Sequence, residues 1–396
     1  MGLPVDHQFD SGSGIVLTDP SSIQVLNLVT LGRVWGFLKY HHPAITGGEH
    51  NWDYDLFRVL PKILAARDRE QANDALLRWI DTLGPVPVCN PCVPAPAGEL
   101  DLRPELAWIH DRGALGAALS QRLEFIYANR SGDQFFVSLA PGAGNALFDH
   151  EPSYPAVKFP DAGYQLLALF RWWNIMQYWA PYRAAAGQDW NAVLAEFIPR
   201  VALAKDKEAY QLALFELTEK ANDTHANLWS SLGVRLPTGE CALPVVLRFL
   251  EGKAVVYRTN STEGALKLGD VVNAISGVPV ASLFEKVVRY YADSNEAARR
   301  RDVAQYLSRG ACGRCLSRSP AVEKLKRYLQ SVSEISLRLR HTICRETPFG
   351  YCRRRSRMSN FPQSKRPISP RISSERKIRR DLSSISVTIR RPLCLS

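Results

Sequence analysis

The chain has 396 residues, 46% of them hydrophobic, with 50 Lys and Arg against 39 Asp and Glu and a formal charge of +11. The charge is unevenly spread: through Gly310 there are 29 basic and 34 acidic side chains and all nine Trp, whereas residues 311–396 hold 21 basic, 5 acidic and 15 Ser side chains and no Trp. Global basicity ordinarily suggests nucleic acid or an anionic membrane as partner, and the slightly acidic body excludes that inference for everything before Gly310.

A body of this length suffices for two or more domains with real cores. Met1 to Ser22 has no basic region followed by an apolar run, so no secretory signal is expected at this start. Residues 1–20 read as an irregular arm containing Ser11-Gly12-Ser13-Gly14. A helix is predicted from Ser21 or Ser22 as N-cap, with Gln24 in its first turn, through Val25, Leu28, Val34, Trp35 and Leu38 to a stop at Pro43. Two further helices follow over Asp53–Ala66 and Glu70–Leu83, the first with Leu56, Val59, Leu60, Ile63 and Leu64 on one stripe. Together they predict a helical N-terminal domain over 21–135.

Between Pro85 and Gly98 the chain is too rich in Pro for helix or interior strand. Helical pattern returns over Gly113–Asn129 and a strand is predicted at Gln134–Leu139, with Pro141-Gly142-Ala143-Gly144-Asn145 as the turn behind it. The stretch Tyr164–Tyr182 is apolar on nearly every side but contains Arg171, Asn174 and Gln177 and ends at Pro181. It falls short of the roughly 20 apolar residues a bilayer demands, so it predicts a buried helix and no transmembrane segment. Amphipathic helices over Trp190–Ala204 and Glu208–Ala221 complete a second helical block over 136–235.

From Cys241 the period changes. Strands are predicted at Leu243–Phe249 and Ala254–Thr259 around an Glu251-Gly252-Lys253 turn, then at Gly264–Leu268 and Asp270–Ile275. Ser276-Gly277 makes a turn, and helices follow over Val280–Tyr291 and Glu296–Leu307. Strands surrounding a helix over 240–310 fit a small peptide-binding module. The fold class expected is therefore α+β, mostly helical at first and ending in this β module. Residues 311–396 show no sustained period and read as disordered or as the product of a shifted reading frame; a basic arm for phosphates is the lesser alternative.

Four strings in the body, in this order, resemble a known family. Leu31-Gly32-Arg33-Val34-Trp35-Gly36-Phe37-Leu38-Lys39-Tyr40-His41-His42-Pro43, followed by Asn51-Trp52-Asp53-Tyr54-Asp55-Leu56-Phe57, resembles the N-terminal helical region of tail-specific (C-terminal processing, tricorn-like) serine peptidases. Phe170-Arg171-Trp172-Trp173-Asn174-Ile175 and Asp223-Thr224-His225-Ala226-Asn227-Leu228-Trp229 look like its next landmarks. Leu266 to Val280, with a Gly269-Asp270 turn before an apolar strand, resembles its PDZ-like module. The resemblance covers Ser21 to Gly310. It implies a serine-type endopeptidase acting on polypeptides, a PDZ-like part that captures peptide C-termini by strand addition, and no cofactor; members are often exported.

By the same resemblance His225 is the candidate general base, since an imidazole takes a serine proton near neutral pH and returns it to the leaving amine. Asp223 or Asn227 would orient its ring. The alternative is that Asp223 and Thr224 cap a helix and His225 packs beside Trp229. The family places its nucleophile and oxyanion donors in a domain after the PDZ-like module, and no Ser of residues 311–396 follows a Gly-rich turn at a helix start. No nucleophile is assigned, and the chain as it stands is expected to be inactive, or a non-enzymatic peptide-binding fragment.

Cys89-Asn90-Pro91-Cys92 lacks the βαβ context of a redox motif and the spacing of a zinc site with Cys312 and Cys315. A local Cys89–Cys92 disulfide or two thiols remain. His41, His42 and His50 near Glu49 and Asp53 invite a metal, but the spacing supports none, and histidines at a helix end can simply favour the macrodipole. Trp172, Trp173, Tyr178 and Trp179 read as core, and Arg299, Arg300 and Arg301 as a solvated cluster.

Overall fold

The computed structural model describes residues 5–90, 92, 105–132, 134–154, 156–157, 159–181, 183–228, 233–243, 245–259 and 266–310. Expectations for residues 311–396, Trp229, Tyr182 and the start of the strand at Gly264 lie outside these. The fold is α+β, about half helical, with its small antiparallel sheets mainly in the C-terminal part. Among the described residues no helix is long and apolar enough to cross a membrane.

Ten helices are described: α1 (Ser22–His41), α2 (Pro43–Thr46), α3 (Trp52–Ala65), α4 (Arg69–Asp81), α5 (Arg112–Ala128), α6 (Ala162–Trp179), α7 (Trp190–Ala202), α8 (Lys207–Glu219), α9 (Val280–Val287) and α10 (Glu296–Leu307). The strands are β1 (Ser138–Leu139), β2 (Ala146–Leu147), β3 (Cys241–Ala242), β4 (Val245–Leu250), β5 (Lys253–Thr259), β6 (Val271–Val272), β7 (Ala274–Ile275), β8 (Val278–Pro279) and β9 (Arg309–Gly310). The described residues fall into two units. Segments 21–135 and 136–235 are one body, because α1 packs against both α6 and α7, and residues 287–299 belong to it as well.

In this first unit α1 is the axis. Ser21 caps it reciprocally with Gln24: the Ser21 hydroxyl accepts from the Gln24 N–H and the Gln24 side chain accepts from the Ser21 N–H. Gly32 and Gly36, one turn apart, face α6. A Cβ on Gly36 would stand 1.9 Å from Asn174 Oδ1, and one on Gly32 would stand 2.7 Å from the Phe170 ring. The two missing side chains let Asn174 Nδ2 donate across the interface to the Gly32 carbonyl at 3.0 Å as well as to Phe170 O at 2.8 Å within its own helix. On the other side of α1, Trp35 and Trp52 exchange indole N–H donors and backbone carbonyls, both at 3.0 Å, which fixes α1 against α3.

This packing brings four opposite charges together below the surface. Arg171 pairs with Asp53 and, through Nε, with Glu151 at 3.0 Å, while Lys39 Nζ reaches Glu151 at 2.5 Å. Tyr154 donates its hydroxyl to Asp53 at 2.5 Å. Burial alone would raise the Asp53 carboxyl, but the Arg171 and Lys39 charges and the hydrogen bonds from Tyr154 and Arg171 hold it below the usual carboxylate range. The set is neutral as a whole, as buried ions must be.

The arm before α1 is irregular, as expected, yet it is docked. Ser13 and Gly14 donate backbone N–H groups to Asp161 at 2.7 and 3.0 Å, and the Ser13 hydroxyl donates to the other oxygen of that carboxylate at 2.6 Å. Asp161 is also the N-cap of α6. The strand expected at Gln134–Leu139 is reduced to β1, which pairs with β2 around the predicted Pro141–Asn145 turn.

The second unit holds described residues of 237–286 and 300–310. The sheet order β4-β5-β6 is antiparallel throughout, and Glu251 and Gly252 both take positive φ, the conformation of a two-residue type I′ hairpin turn. Ser276 and Gly277 repeat this between β7 and β8. Val245, Leu247, Ala254 and Val256 of the sheet are buried, as are Val303, Ala304 and Leu307 of α10, and β3 pairs with β9. The helix expected over Val280–Tyr291 ends as α9 at Val287 and tightens to a 3₁₀ turn over Val288–Tyr290.

His41 does not serve the macrodipole, which would need it charged. Its Nδ1–H donates to Phe37 O at 2.8 Å, and burial drives its pKa down to about 4, opposed by that bond and assisted by Arg130. Among the described residues no group of His, Cys, Asp and Glu side chains could hold a metal.

Two measurements test this fold. Gly36→Ala would gain up to about 1 kcal/mol in an isolated helix; here it is expected to lose about 2–3 kcal/mol by overpacking against Asn174, read from urea unfolding by Trp fluorescence. Between pH 6.5 and pH 4 the unfolded chain binds a proton at His41 that the folded chain refuses. Stability therefore falls on acidification through that window, by about 3 kcal/mol from this ring once it is complete below the folded pKa; His41→Gln is expected to remove that contribution, leaving the one from His42, which burial likewise lowers to about 4.

Candidate functional site

Helix α8 ends at Glu219, and the chain reverses through Lys220, Ala221 and Asn222. Asn222 takes φ +46°, a left-handed conformation for which Asn is better suited than most residues. It is held there by its own side chain, whose Nδ2 donates to Ala186 O at 2.7 Å and whose Oδ1 accepts from Arg299 at 2.9 Å. Residues 223–226 then form a tight turn closed by the Ala226 N–H on Asp223 O at 2.8 Å.

That turn presents His225. Asp223 Oδ1 lies 2.9 Å from His225 Nδ1 and also accepts the His225 backbone N–H at 2.9 Å. The carboxylate so placed keeps the ring proton on Nδ1 and leaves the Nε2 lone pair outward. Nε2 makes no hydrogen bond among the described residues, and the side chain is 48% exposed. Asp223 is therefore the ring's partner. Asn227 is not: its Nδ2 donates to the His225 carbonyl at 3.0 Å. The alternative of a helix cap also fails for the described residues, since no helix begins at Asp223 or Thr224.

A second segment braces the turn. Thr224 and Ser294 are joined three ways: Thr224 N–H to Ser294 Oγ at 3.0 Å, Ser294 N–H to Thr224 Oγ1 at 3.1 Å, and the two hydroxyls at 3.1 Å. Arg289 pairs with Glu216 of α8, and Arg299 adds Asp293 O at 3.3 Å and Glu219 at 3.6 Å. Arg299 is thus a structural clasp on the turn, not a member of a solvated cluster. The Ser294 hydroxyl is bonded to Thr224, and no Ser, Thr or Cys among the described residues bonds the imidazole.

Sequence reading missed Asn222, Ser294 and Arg299. Asn222-Asp223 after an amphipathic helix is a local signal for a left-handed turn; Ser294 and the role of Arg299 carry none, because their partners lie some seventy residues upstream.

The remaining candidates separate from this turn. Cys89 and Cys92 are joined in a disulfide with Cα atoms 4.7 Å apart, and the Cys89 N–H donates to Asn129 Oδ1 at 3.1 Å, tying the loop to the end of α5. His50 faces Asp55 at 3.5 Å, while His41 is buried among Phe37, Tyr127 and Tyr178. Trp172 and Trp173 are fully buried. The Asp53–Arg171–Glu151–Lys39 set is enclosed, with each charge set against an opposite one, so it orders the core.

Comparison with known proteins finds no matching family model, no matching curated protein and no matching solved structure.

In ¹⁵N-resolved imidazole spectra at neutral pH, His225 is expected to be mainly the Nδ1–H tautomer. Asp223→Ala removes a hydrogen bond worth about 1 kcal/mol, which should move the ratio toward Nε2–H about fivefold; an unchanged ratio would show that Asp223 does not set it.

Proposed function

We propose that this chain carries the base-bearing front of a serine-type peptidase together with a β module that binds the ends of peptides. The observation that carries this reading is the His225 turn: an exposed imidazole, ordered through Nδ1 by Asp223, with Nε2 open. Such a ring takes the proton of an attacking hydroxyl at Nε2 and passes it to the leaving amine, while the carboxylate stabilises the imidazolium between the two steps. The resemblance of the four sequence strings supplies the reaction class.

A second reading rests on a different observation. No hydroxyl or thiol of the described residues bonds the imidazole, which supports the reading of a peptide-binding fragment beside that of a peptidase. The outer edge of β4 pairs with no described strand and offers backbone donors and acceptors to an extended chain. Beside it, Phe249 of β4 meets Phe284 of α9 edge to face at 5.1 Å, an apolar contact suited to a terminal apolar side chain.

The full chain, incubated with a fluorophosphonate probe and digested for mass spectrometry, is expected to show no acylated Ser. A labelled Ser would identify the nucleophile and overturn the binding-only reading. In fluorescence anisotropy, a decapeptide ending in Val with a free carboxylate is expected to bind about tenfold more tightly than its amidated form, a difference of about 1.4 kcal/mol. Equal affinities, or no binding to either, would remove the peptide-end reading.

A further inference from the structure

The loop between α4 and α5 carries a disulfide that joins Cys89 to Cys92, three positions apart in the chain. A link this short removes less freedom from the unfolded chain than one closing a long loop, so it contributes little to holding the fold. Other contacts join the two helices. Asn73 Nδ2 of α4 donates to Ala114 O of α5 at 2.9 Å, and Arg122 of α5 pairs with Asp81 at the end of α4. The loop itself is pinned without its sulfurs: the Cys89 N–H donates to Asn129 Oδ1 at 3.1 Å, and Asn129 Nδ2 donates in turn to Phe125 O at 2.9 Å.

The pair sits at the surface, with Cys92 exposed and Cys89 half-buried. Its sulfurs are also placed for the reduced state. Cys89 Sγ lies 3.5 Å from Ala128 O and Cys92 Sγ lies 3.3 Å from Cys89 O, both at exposed positions. Once the S–S bond is broken, each thiol has a carbonyl to which its S–H can donate. Neither oxidation state requires the surrounding helices to rearrange.

We infer that Cys89–Cys92 is a thiol–disulfide exchange site, reduced by a dithiol while the helical unit stays folded. The first thiolate of the dithiol attacks Sγ of the more exposed Cys92, forming a mixed disulfide as the Cys89–Cys92 bond breaks. The bonding pair leaves on Cys89 Sγ, which takes a proton from water and donates to Ala128 O. The second thiolate then attacks the dithiol's own sulfur in the mixed disulfide, and Cys92 leaves and is protonated in the same way. Two electrons pass to the pair, and the dithiol closes to a disulfide. A monothiol fails at the second step, because Cys89, three positions away, re-closes the ring at high effective concentration and expels it. Cys89 Sγ lies at the C-terminal end of α5, where the carbonyl dipoles oppose a thiolate. The pair is therefore the substrate of such exchange and not its nucleophile. The site is independent of the His225 turn and of the peptidase reading.

The full chain is incubated with dithiothreitol or with glutathione at equal thiol concentration, quenched with N-ethylmaleimide, and mapped by mass spectrometry on the peptide that holds both cysteines. Trp fluorescence follows the fold. Dithiothreitol is expected to reduce the pair in native buffer with unchanged fluorescence, and glutathione to reduce at least about tenfold less of it. Cys89→Ser removes the re-closing thiol, so after reaction with glutathione disulfide it is expected to hold glutathione on Cys92, and to do so faster than Cys92→Ser holds it on Cys89. Reduction only in denaturant, unfolding on reduction, or equal reduction by glutathione overturns the inference. Faster capture on Cys89 overturns the assignment of Cys92 as the attacked sulfur. If either serine variant does not fold, the two reductants compared on the unaltered chain decide alone.

Discussion

The helical unit depends on how closely α1 can approach α6, and that distance is set by two hydrogen atoms. Where any other residue would carry a Cβ, Gly32 and Gly36 leave room for Phe170 and Asn174, and Asn174 uses both amide protons on carbonyls, one from each helix. The attraction is partly dispersion between closely fitted surfaces and partly one buried hydrogen bond across the interface. Neither Gly helps a helix as such, for each costs it backbone entropy. Their presence in the middle of α1 is explained only by what lies opposite.

The close crossing has an electrostatic consequence. Arg171 sits one residue beyond Phe170 on α6, so the approach that seats Phe170 also carries a guanidinium into the interior. Asp53 at the start of α3 and Glu151 before α6 meet it, and Lys39 of α1 completes the set. Each ion is tolerable because the other three are there. A cluster of this kind resembles an active site in its residue types, but its charges cancel internally, whereas the His225 turn leaves a lone pair facing outward. Availability, more than composition, distinguishes a site that can act from one that holds the core.

Features governed by near neighbours in the chain were legible in the sequence. The Ser21–Gln24 cap, the helices over the apolar stripes, and the Glu251-Gly252 and Ser276-Gly277 turns follow from local propensity and period. So did His225 as the residue to examine, although through family resemblance more than through physics. What escaped is long-range. The three bonds between Thr224 and Ser294, the clasp of Arg299 on Asn222 and the return of residues 287–299 to the helical unit depend on partners that no window of the sequence contains. His41 was read as a charge favouring a helix end and is a neutral core ring, because periodicity shows which face a residue is on but not how deep it lies.

Asp161 binds two parts of the chain with one carboxylate. One oxygen accepts the Tyr164 N–H at 3.2 Å, as the cap of α6, and the Ser13 hydroxyl; the other accepts the Ser13 and Gly14 N–H groups. Gly163 makes the arrangement possible, since a Cβ there would stand 2.2 Å from Ser13 Oγ. The arm and the first turn of α6 are consequently a single cooperative element: lifting Ser13 away exposes the carboxylate that organises the helix start, and fraying the helix releases the anchor of the arm. In hydrogen exchange the two segments would open together, with one free energy, despite the 148 residues that separate Ser13 from Asp161 in the chain.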